Sequence, residues 1–102
     1  MIIEKKYIKN MLYINLKGVL NKSSLSILED ELYIIIYKIG IINISININN
    51  VYFEEKIDSL LNKFKTKLIL KGGNLYVVGD KSLNSYCTYQ NDYQVFKLSN
   101  FI

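Results

Sequence analysis

The side chains whose chemistry suits a functional site gather between positions 54 and 59. Glu54 and Glu55 are followed by Asp58 and Ser59. Neighbouring carboxylates can transfer protons or bind a hard cation, but acids at a helix start more often stabilise the helix dipole. The chain has no histidine and one cysteine, Cys87, which excludes Cys-His pairs, Ser-His pairs and the usual zinc spacing. We therefore expect a protein that is not an enzyme and that needs neither metal nor cofactor.

The elements that position these groups follow from the hydrophobic periodicity. Strands are predicted over Ile2–Ile8, Met11–Leu20, Ile42–Phe53, Asn74–Gly79 and Tyr93–Leu98. Helices are predicted over Ser24–Ile39, Glu54–Leu70 and Ser82–Gln90. This order predicts an α/β fold, with a mixed β-sheet of four to five strands and about three helices packed mainly on one face.

Each of the first two helices carries an apolar stripe at helical spacing. The stripe residues are Leu25, Leu28, Leu32, Ile35, Ile36 and Ile39 in the first helix, and Ile57, Leu60, Leu61, Phe64 and Leu68 in the second. We expect Ser23 or Ser24 to cap the first helix and Gly40 to end it. Glu54 and Glu55 are expected in the first turn of the second helix, where they match its dipole.

Length and charge limit the remaining possibilities. A chain of 102 residues suits one core, so we expect a single domain over 1–102. The net charge of +4 comes from scattered lysines without arginine, which argues against nucleic-acid binding. The apolar stretch Leu32–Ile46 is interrupted by polar residues and is too short to insert in a membrane. With charged residues near the N-terminus and a lone thiol, we expect a cytoplasmic protein.

Three segments carry a resemblance to a known family. They are the glycine-containing turn Leu16–Asn21, the strand Ile46–Phe53, and Gly72–Gly79, where two glycines precede a strand. Together they resemble the STAS domain, the sulfate transporter and anti-sigma factor antagonist family. The resemblance covers about Tyr7 to Phe101 and implies a regulatory domain that acts through contact with another protein.

In that family, the junction between the third strand and second helix carries a phosphorylation motif, Asp-Ser-Ser or Asp-Ser-Thr followed by Gly. This chain has no serine or threonine from Val51 to Asp58. Three interpretations remain open. Glu54 or Glu55 supplies a permanent negative charge in place of phosphate, or Ser59 is the phosphorylated residue, or the glutamates only cap the helix and Ser59 is an ordinary surface residue.

The resemblance implies a partner such as an anti-sigma factor or a related kinase or ATPase, bound without phosphorylation at the usual position. The expected partner-binding residues lie on the exposed side of the second helix and its flanking loops: Asn21, Lys22, Ser23, Asn49, Asn50, Glu54, Glu55, Lys56, Asp58, Ser59 and Asn62. Asn21 and Asn47 stand where the family more often has Asp, which removes two negative charges.

The same residues also allow two other classes of function. The alternative is a STAS subunit of a membrane transport or lipid-trafficking complex that docks on an ATPase and is never phosphorylated. A third is a module that binds a small ligand at the same loop, for which the sequence shows no pocket signature.

An apolar patch on the first helix suggests a possible homodimer. Tyr33, Ile34 and Tyr37 lie outside the main stripe and are expected on the exposed side. If this patch is a self-association surface, Ile34→Lys should abolish it without unfolding the protein. The competing interpretation is a composition bias that places Ile and Tyr on the surface.

Overall fold

The computed structural model describes residues 1–79 as an alternation of strands and helices. Its elements are strand β1 (Ile2–Ile8), strand β2 (Met11–Leu20), helix α1 (Lys22–Tyr33), a π-helical segment (Ile34–Ile39), strand β3 (Asn43–Phe53), helix α2 (Asp58–Leu70) and strand β4 (Asn74–Val78). The predicted helix Ser82–Gln90 and strand Tyr93–Leu98 lie outside the described residues.

The four strands form one mixed sheet in the order β1-β2-β3-β4. β1 and β2 are antiparallel and joined at Lys9 and Asn10, whose positive φ values of 49° and 67° suit a tight hairpin turn. β2, β3 and β4 run parallel, so α1 and α2 are the crossovers between them. Right-handed crossovers that advance in one direction across a sheet place both helices on the same face, as predicted.

The core lies between that face and the two helices. The sheet contributes Leu12, Ile14 and Leu16 from β2, Ile44, Ile46 and Ile48 from β3, and Leu75 and Val77 from β4. The helices contribute Leu28, Leu32, Leu61, Phe64 and Leu68, and Ile57 adds to them from just before α2. Each fully buried aliphatic side chain of this kind stabilises the fold by about 1.5 to 3 kcal/mol. The periodicity that predicted the strands and both stripes therefore reflects real burial.

Helix α1 begins at Lys22, two residues before the predicted start at Ser24. Its N-cap is Asn21, whose Oδ1 accepts hydrogen bonds from the Ser24 backbone N–H at 2.9 Å and from the Ser24 hydroxyl at 3.0 Å. Ser24 is buried, and its Oγ also donates to the Val19 carbonyl at 2.9 Å. The prediction that Ser23 or Ser24 caps α1 was wrong. Asn21 is the N-cap, because its side-chain oxygen accepts the hydrogen bond from the Ser24 backbone N–H.

The end of the first helix departs from regular α-helical geometry. Gly40 and Ile41 both donate their N–H groups to the Ile35 carbonyl, and Gly40 has the predicted left-handed conformation with φ 88°. A π turn holds more residues than an α turn, so it rotates the following side chains away from the stripe. Ile39, predicted to be buried, is consequently 63% exposed.

The polar side of β3 is also more buried than the alternation predicts. Ser45 is 0% exposed and Asn47 is 2% exposed. Ser45 is paired in register with Tyr13 on β2 and Tyr76 on β4, so two large rings flank the smallest side chain of this row. The alternation of apolar and polar residues predicts which face of a strand is polar. Whether that face is exposed also depends on the side chains of the neighbouring strands.

Candidate functional site

The candidate site forms where β2 and β3 end, at the same edge of the sheet. The two strands are parallel, and their last residues, Leu20 and Phe53, are paired in register. The backbone N–H groups of Glu54 and Glu55 both donate to the Leu20 carbonyl, at 2.9 and 3.1 Å. This shared acceptor holds the chain leaving β3 directly beside the start of α1.

The loop between β3 and α2 is short and anchored at both ends. Phe53 packs against the core before it, and Ile57 is fully buried after it. Helix α2 begins at Asp58, and Ile57 occupies the N-cap position without a side-chain cap hydrogen bond. Glu54 and Glu55 therefore precede the helix.

This placement corrects two predictions. α2 does not start near Glu54, and Asp58 is the only acidic residue of its first turn. The interpretation that Glu54 and Glu55 cap the helix is therefore wrong. Both backbone N–H groups are already bound to the Leu20 carbonyl, which draws this part of the chain against the sheet instead of into a helical turn.

All of the predicted partner-binding residues lie at least partly at the surface. Lys22, Ser23, Asn49, Asn50, Glu54, Lys56, Ser59 and Asn62 are exposed, while Asn21, Glu55 and Asp58 are half-buried. The Leu20 carbonyl brings the start of α1 together with the β3–α2 loop. Ser59 and Asn62 continue this surface along α2, since residues three apart share a helix face. Asn21 has a structural task as well, because its side chain caps α1.

Asn49 and Asn50 stand apart from the loop. They lie within β3, where Asn15 pairs with Asn47 but Lys17 pairs with Asn50, so β3 carries one extra residue as a β-bulge. Asn50 precedes the end of β3 by three residues, roughly 10 Å at the usual rise of a strand. They therefore lie along β3 and not in the loop itself.

Sequence reasoning missed the role of Asn47 in this bulge. Its Oδ1 accepts a hydrogen bond from the Asn49 backbone N–H at 2.9 Å, which satisfies a group that the bulge removes from the ladder. The available signal was the pair of adjacent asparagines, which breaks the alternation of apolar residues that had continued to Ile48.

Helix α2 has the acidic residue Asp58 in its first turn and lysines further along, one of which contacts α1. Lys63 Nζ donates to Glu29 Oε2 of α1 at 2.6 Å and lies 5.6 Å from the centroid of the Tyr33 ring. The hydrogen bond to Glu29 raises the pKa of Lys63 above its ordinary value. This contact joins the two helices beside the candidate site.

The residues that the structure describes give no sign of a metal site. Between positions 1 and 79, no cluster of at least three Asp, Glu, Cys or His side chains is arranged to hold a metal ion. In the same part of the chain, no helix combines the length and the apolar character needed to cross a membrane.

Comparison with known proteins identifies the fold. No protein-family model matches the chain, and neither does any curated protein. The structure of the anti-sigma factor antagonist SpoIIAA in its unphosphorylated form matches with a TM-score of 0.66 and 14% identity, covering 93% of this chain and 84% of that one. The Bacillus cell fate determinant SpoIIAA in its phosphorylated form matches with a TM-score of 0.65 and 15% identity, covering 97% and 86%.

A further match is the crystal structure of Mglu, with a TM-score of 0.58 and 17% identity. It covers 72% of this chain but only 18% of that one. At these identities, the similarity concerns the fold. The chain has a STAS-like fold, as the three sequence segments had predicted.

Proposed function

We propose that this domain is a binding module of the anti-sigma factor antagonist type, which acts in the bacterial cytoplasm by occupying a kinase-like or ATPase-like anti-sigma factor and not by catalysis. The observation that carries the proposal is the attachment of Glu54 and Glu55 to the Leu20 carbonyl. It joins the β3–α2 loop, the start of α1 and the start of α2 into one continuous surface. This surface lies on a fold similar to an antagonist whose structure is known in phosphorylated and unphosphorylated forms.

The charge at the loop is fixed, because it comes from carboxylates. Glu54 is exposed and Glu55 is half-buried, and no serine or threonine lies between Val51 and Asp58. A carboxylate has less charge and fewer acceptor oxygens than a phosphate, so it imitates a phosphorylated residue only in part. The glutamates then keep the domain in a state that binds its partner weakly.

The double variant Glu54→Gln, Glu55→Gln tests this role directly. It removes both charges and keeps the side-chain shapes, so we expect binding to an anti-sigma partner to tighten roughly threefold to tenfold. Because neither residue lies in the first turn of α2, the free energy of unfolding should change by less than about 0.5 kcal/mol. Isothermal titration against the partner, with melting temperatures in parallel, measures both quantities.

Asp58→Asn is the matched control, since it removes one charge that does lie in the first helical turn. We expect it to lower the free energy of unfolding by about 0.3 to 1 kcal/mol. Unchanged or weaker binding in the double glutamine variant would contradict the role of the glutamates in imitating phosphate.

Phosphorylation provides an independent test. Incubation with the cognate kinase and ATP should leave residues 51 to 58 unmodified, because they contain no serine or threonine. Any phosphate should map to Ser59, which is exposed and second in α2, where the helix N-terminus favours added negative charge. Mass spectrometry of the digested protein locates the phosphate, and Ser59→Ala should remove it. Stoichiometric phosphate at a different residue would contradict both assignments.

The missing hydroxyl in the loop also supports a second candidate function. A STAS-like subunit that docks permanently on the ATPase of a membrane transport or lipid-trafficking complex has no need of a phosphorylated loop. Pull-down from the native cell distinguishes the two functions, because the first predicts an anti-sigma kinase and the second a transport ATPase.

A further inference from the structure

The end of the domain opposite the candidate site exposes several aliphatic side chains. α2 begins beside the end of β3 and finishes before β4, whose first residue is paired with Asn43 at the start of β3. The finish of α2 and of the π-helical segment therefore share this end. Here Leu70 is 82% exposed, Ile39 is 63% exposed and Ile69 is 52% exposed. Single exposed aliphatic side chains are common, but several gathered at one end of a domain are typical of an interaction surface.

Lysines lie at the same end of the domain as these aliphatic side chains. Lys67 Nζ lies 5.8 Å and Lys71 Nζ lies 4.9 Å from the centroid of the Tyr37 ring. These contacts place the last turn of α2 beside the π-helical segment, which contributes Lys38. Lys9, in the turn between β1 and β2, lies at the same end of the sheet, because β2 starts beside β3. We call this set of four lysines and the exposed Tyr37, Ile39, Ile69 and Leu70 the basal surface.

Within residues 1–79, no Asp or Glu is among the residues that define the basal surface, and one acidic side chain borders them: Asp30 lines the same pocket as Tyr37 and Lys38. The sequence contains no Asp or Glu from Leu32 to Phe53 or from Ser59 to Gly79, the two stretches that supply most of this surface. Glu31, the nearest acid along α1, precedes Ile39 by eight residues, roughly 12 Å along a helix, and is paired with Lys5. Within residues 1–79, lysines therefore outnumber acidic side chains at this end of the sheet.

We propose that the basal surface docks on an anionic phospholipid bilayer. A bilayer offers acidic headgroups to the lysines and an apolar layer beneath them to the aliphatic side chains. Tyr37 suits the boundary, since its ring is apolar and its hydroxyl is polar. The domain lies on the membrane without crossing it, and the candidate site at the opposite end of the sheet faces away and stays free for a protein partner.

Charge decides against the other occupants. A second copy would bring two sets of lysines together, and like charges at an interface repel. A nucleic acid would pair its phosphates with the lysines but would leave the exposed isoleucine and leucine side chains without an apolar contact. Only an occupant that is both acidic and apolar satisfies both kinds of side chain.

Co-sedimentation of the full chain with lipid vesicles tests the proposal. We expect binding to vesicles of phosphatidylcholine with about 30% phosphatidylserine, little binding to phosphatidylcholine alone, and weaker binding at high salt. The variant Lys67→Gln, Lys71→Gln and the variant Ile39→Ser, Leu70→Ser should each bind at least about tenfold more weakly. Lys22→Gln, Lys56→Gln is the charge-matched control at the opposite end and should bind vesicles like the wild type. Circular dichroism should show that all variants remain folded, because every changed side chain except that of Lys67 is exposed and Lys67 is half-buried.

Three results would overturn the proposal. The first is equal binding of the wild type to anionic and neutral vesicles, or to neither. The second is loss of binding in the lysine variant with full binding in the aliphatic variant. Binding would then depend on negative charge alone, and the exposed aliphatic side chains would have no part in it. The third is self-association of the wild type by analytical ultracentrifugation that Ile34→Lys abolishes together with vesicle binding, which would make a second copy the occupant.

Discussion

Replacing Gly73 with alanine is expected to lower the free energy of unfolding by about 3 kcal/mol. Gly73 lies between α2 and β4, and a Cβ atom there would be 1.9 Å from the Ile42 carbonyl oxygen and 2.6 Å from its carbonyl carbon. These are backbone atoms at the entrance to β3 and cannot rotate away. The same oxygen accepts a hydrogen bond from the Asn74 backbone N–H at 3.0 Å, so relieving the clash would also strain the start of β4.

Thermal unfolding followed by circular dichroism measures this effect. For a domain of this size, a loss of about 3 kcal/mol corresponds to a decrease in melting temperature of roughly 12 to 24 °C. Gly40→Ala is the matched control. Gly40 has φ 88° but open space around its Cα, so only backbone strain of about 1 to 2 kcal/mol is expected. Equal losses in the two variants would show that close approach to Ile42 is not what requires glycine at position 73.

The sheet was largely predictable from sequence because its strands have strong local signals. Apolar residues alternate through β2 and most of β3, and the two glycines before Asn74 mark the turn into β4. Strands separated by helices require parallel pairing with crossovers, and crossover handedness then places both helices on one face. These rules require only the polarity of the residues and the order of the strands and helices along the chain.

The start of α2 was not predictable, because a contact distant in sequence determines it. Glu54 and Glu55 have good helix propensity and suit the helix dipole, so local rules place them in the first turn. The Leu20 carbonyl, more than thirty residues earlier in the chain, binds both of their N–H groups instead. This loop is the centre of the candidate site. The wrong helix start therefore assigned the charges of Glu54 and Glu55 to the first turn of α2, although they belong to the loop before it.

The π-helical segment shows a second kind of limit. Its residues Ile34–Ile39 continue the helical pattern of α1 without a glycine or proline to mark a change. The extra residue per turn is evident only from the two N–H groups that converge on the Ile35 carbonyl. Hydrophobic periodicity alone cannot detect it, and the exposure of Ile39 on the basal surface follows from it.

The chemical character of the site could be predicted better than its geometry. The absence of histidine and the acidic junction after Phe53 are plain in the sequence, and all of the residues expected to bind a partner are exposed or half-buried. Sequence could not separate Asn21, whose amide caps α1, from neighbours whose side chains are directed at solvent. Both tasks suit an asparagine, and only the hydrogen bonds distinguish them.

Phe64→Ala is expected to lower the free energy of unfolding by about 3 to 5 kcal/mol. Phe64 is 0% exposed and lies in the middle of α2. Its ring meets that of Tyr33 edge to face, with centroids 5.8 Å apart and planes inclined by 84°. Truncation leaves a cavity in the core and removes this contact between the helices. Chemical denaturation measures the loss, and Asn62→Ala, at an exposed position of the same helix, should change stability by less than about 0.5 kcal/mol.

A double-mutant cycle separates the cavity from the contact between rings. Tyr33→Leu alone keeps an apolar side chain on α1 but removes the edge-to-face geometry. If the contact stabilises the packing of α1 on α2, the combined variant should lose less than the two single variants together, with a coupling of about 0.5 to 1.5 kcal/mol. Additive losses would instead mean that Phe64 stabilises α2 only by burial against the sheet. The position of α1 beside the candidate site would then depend on its buried residues Leu28 and Leu32 and on the Asn21 cap and not on the aromatic contact.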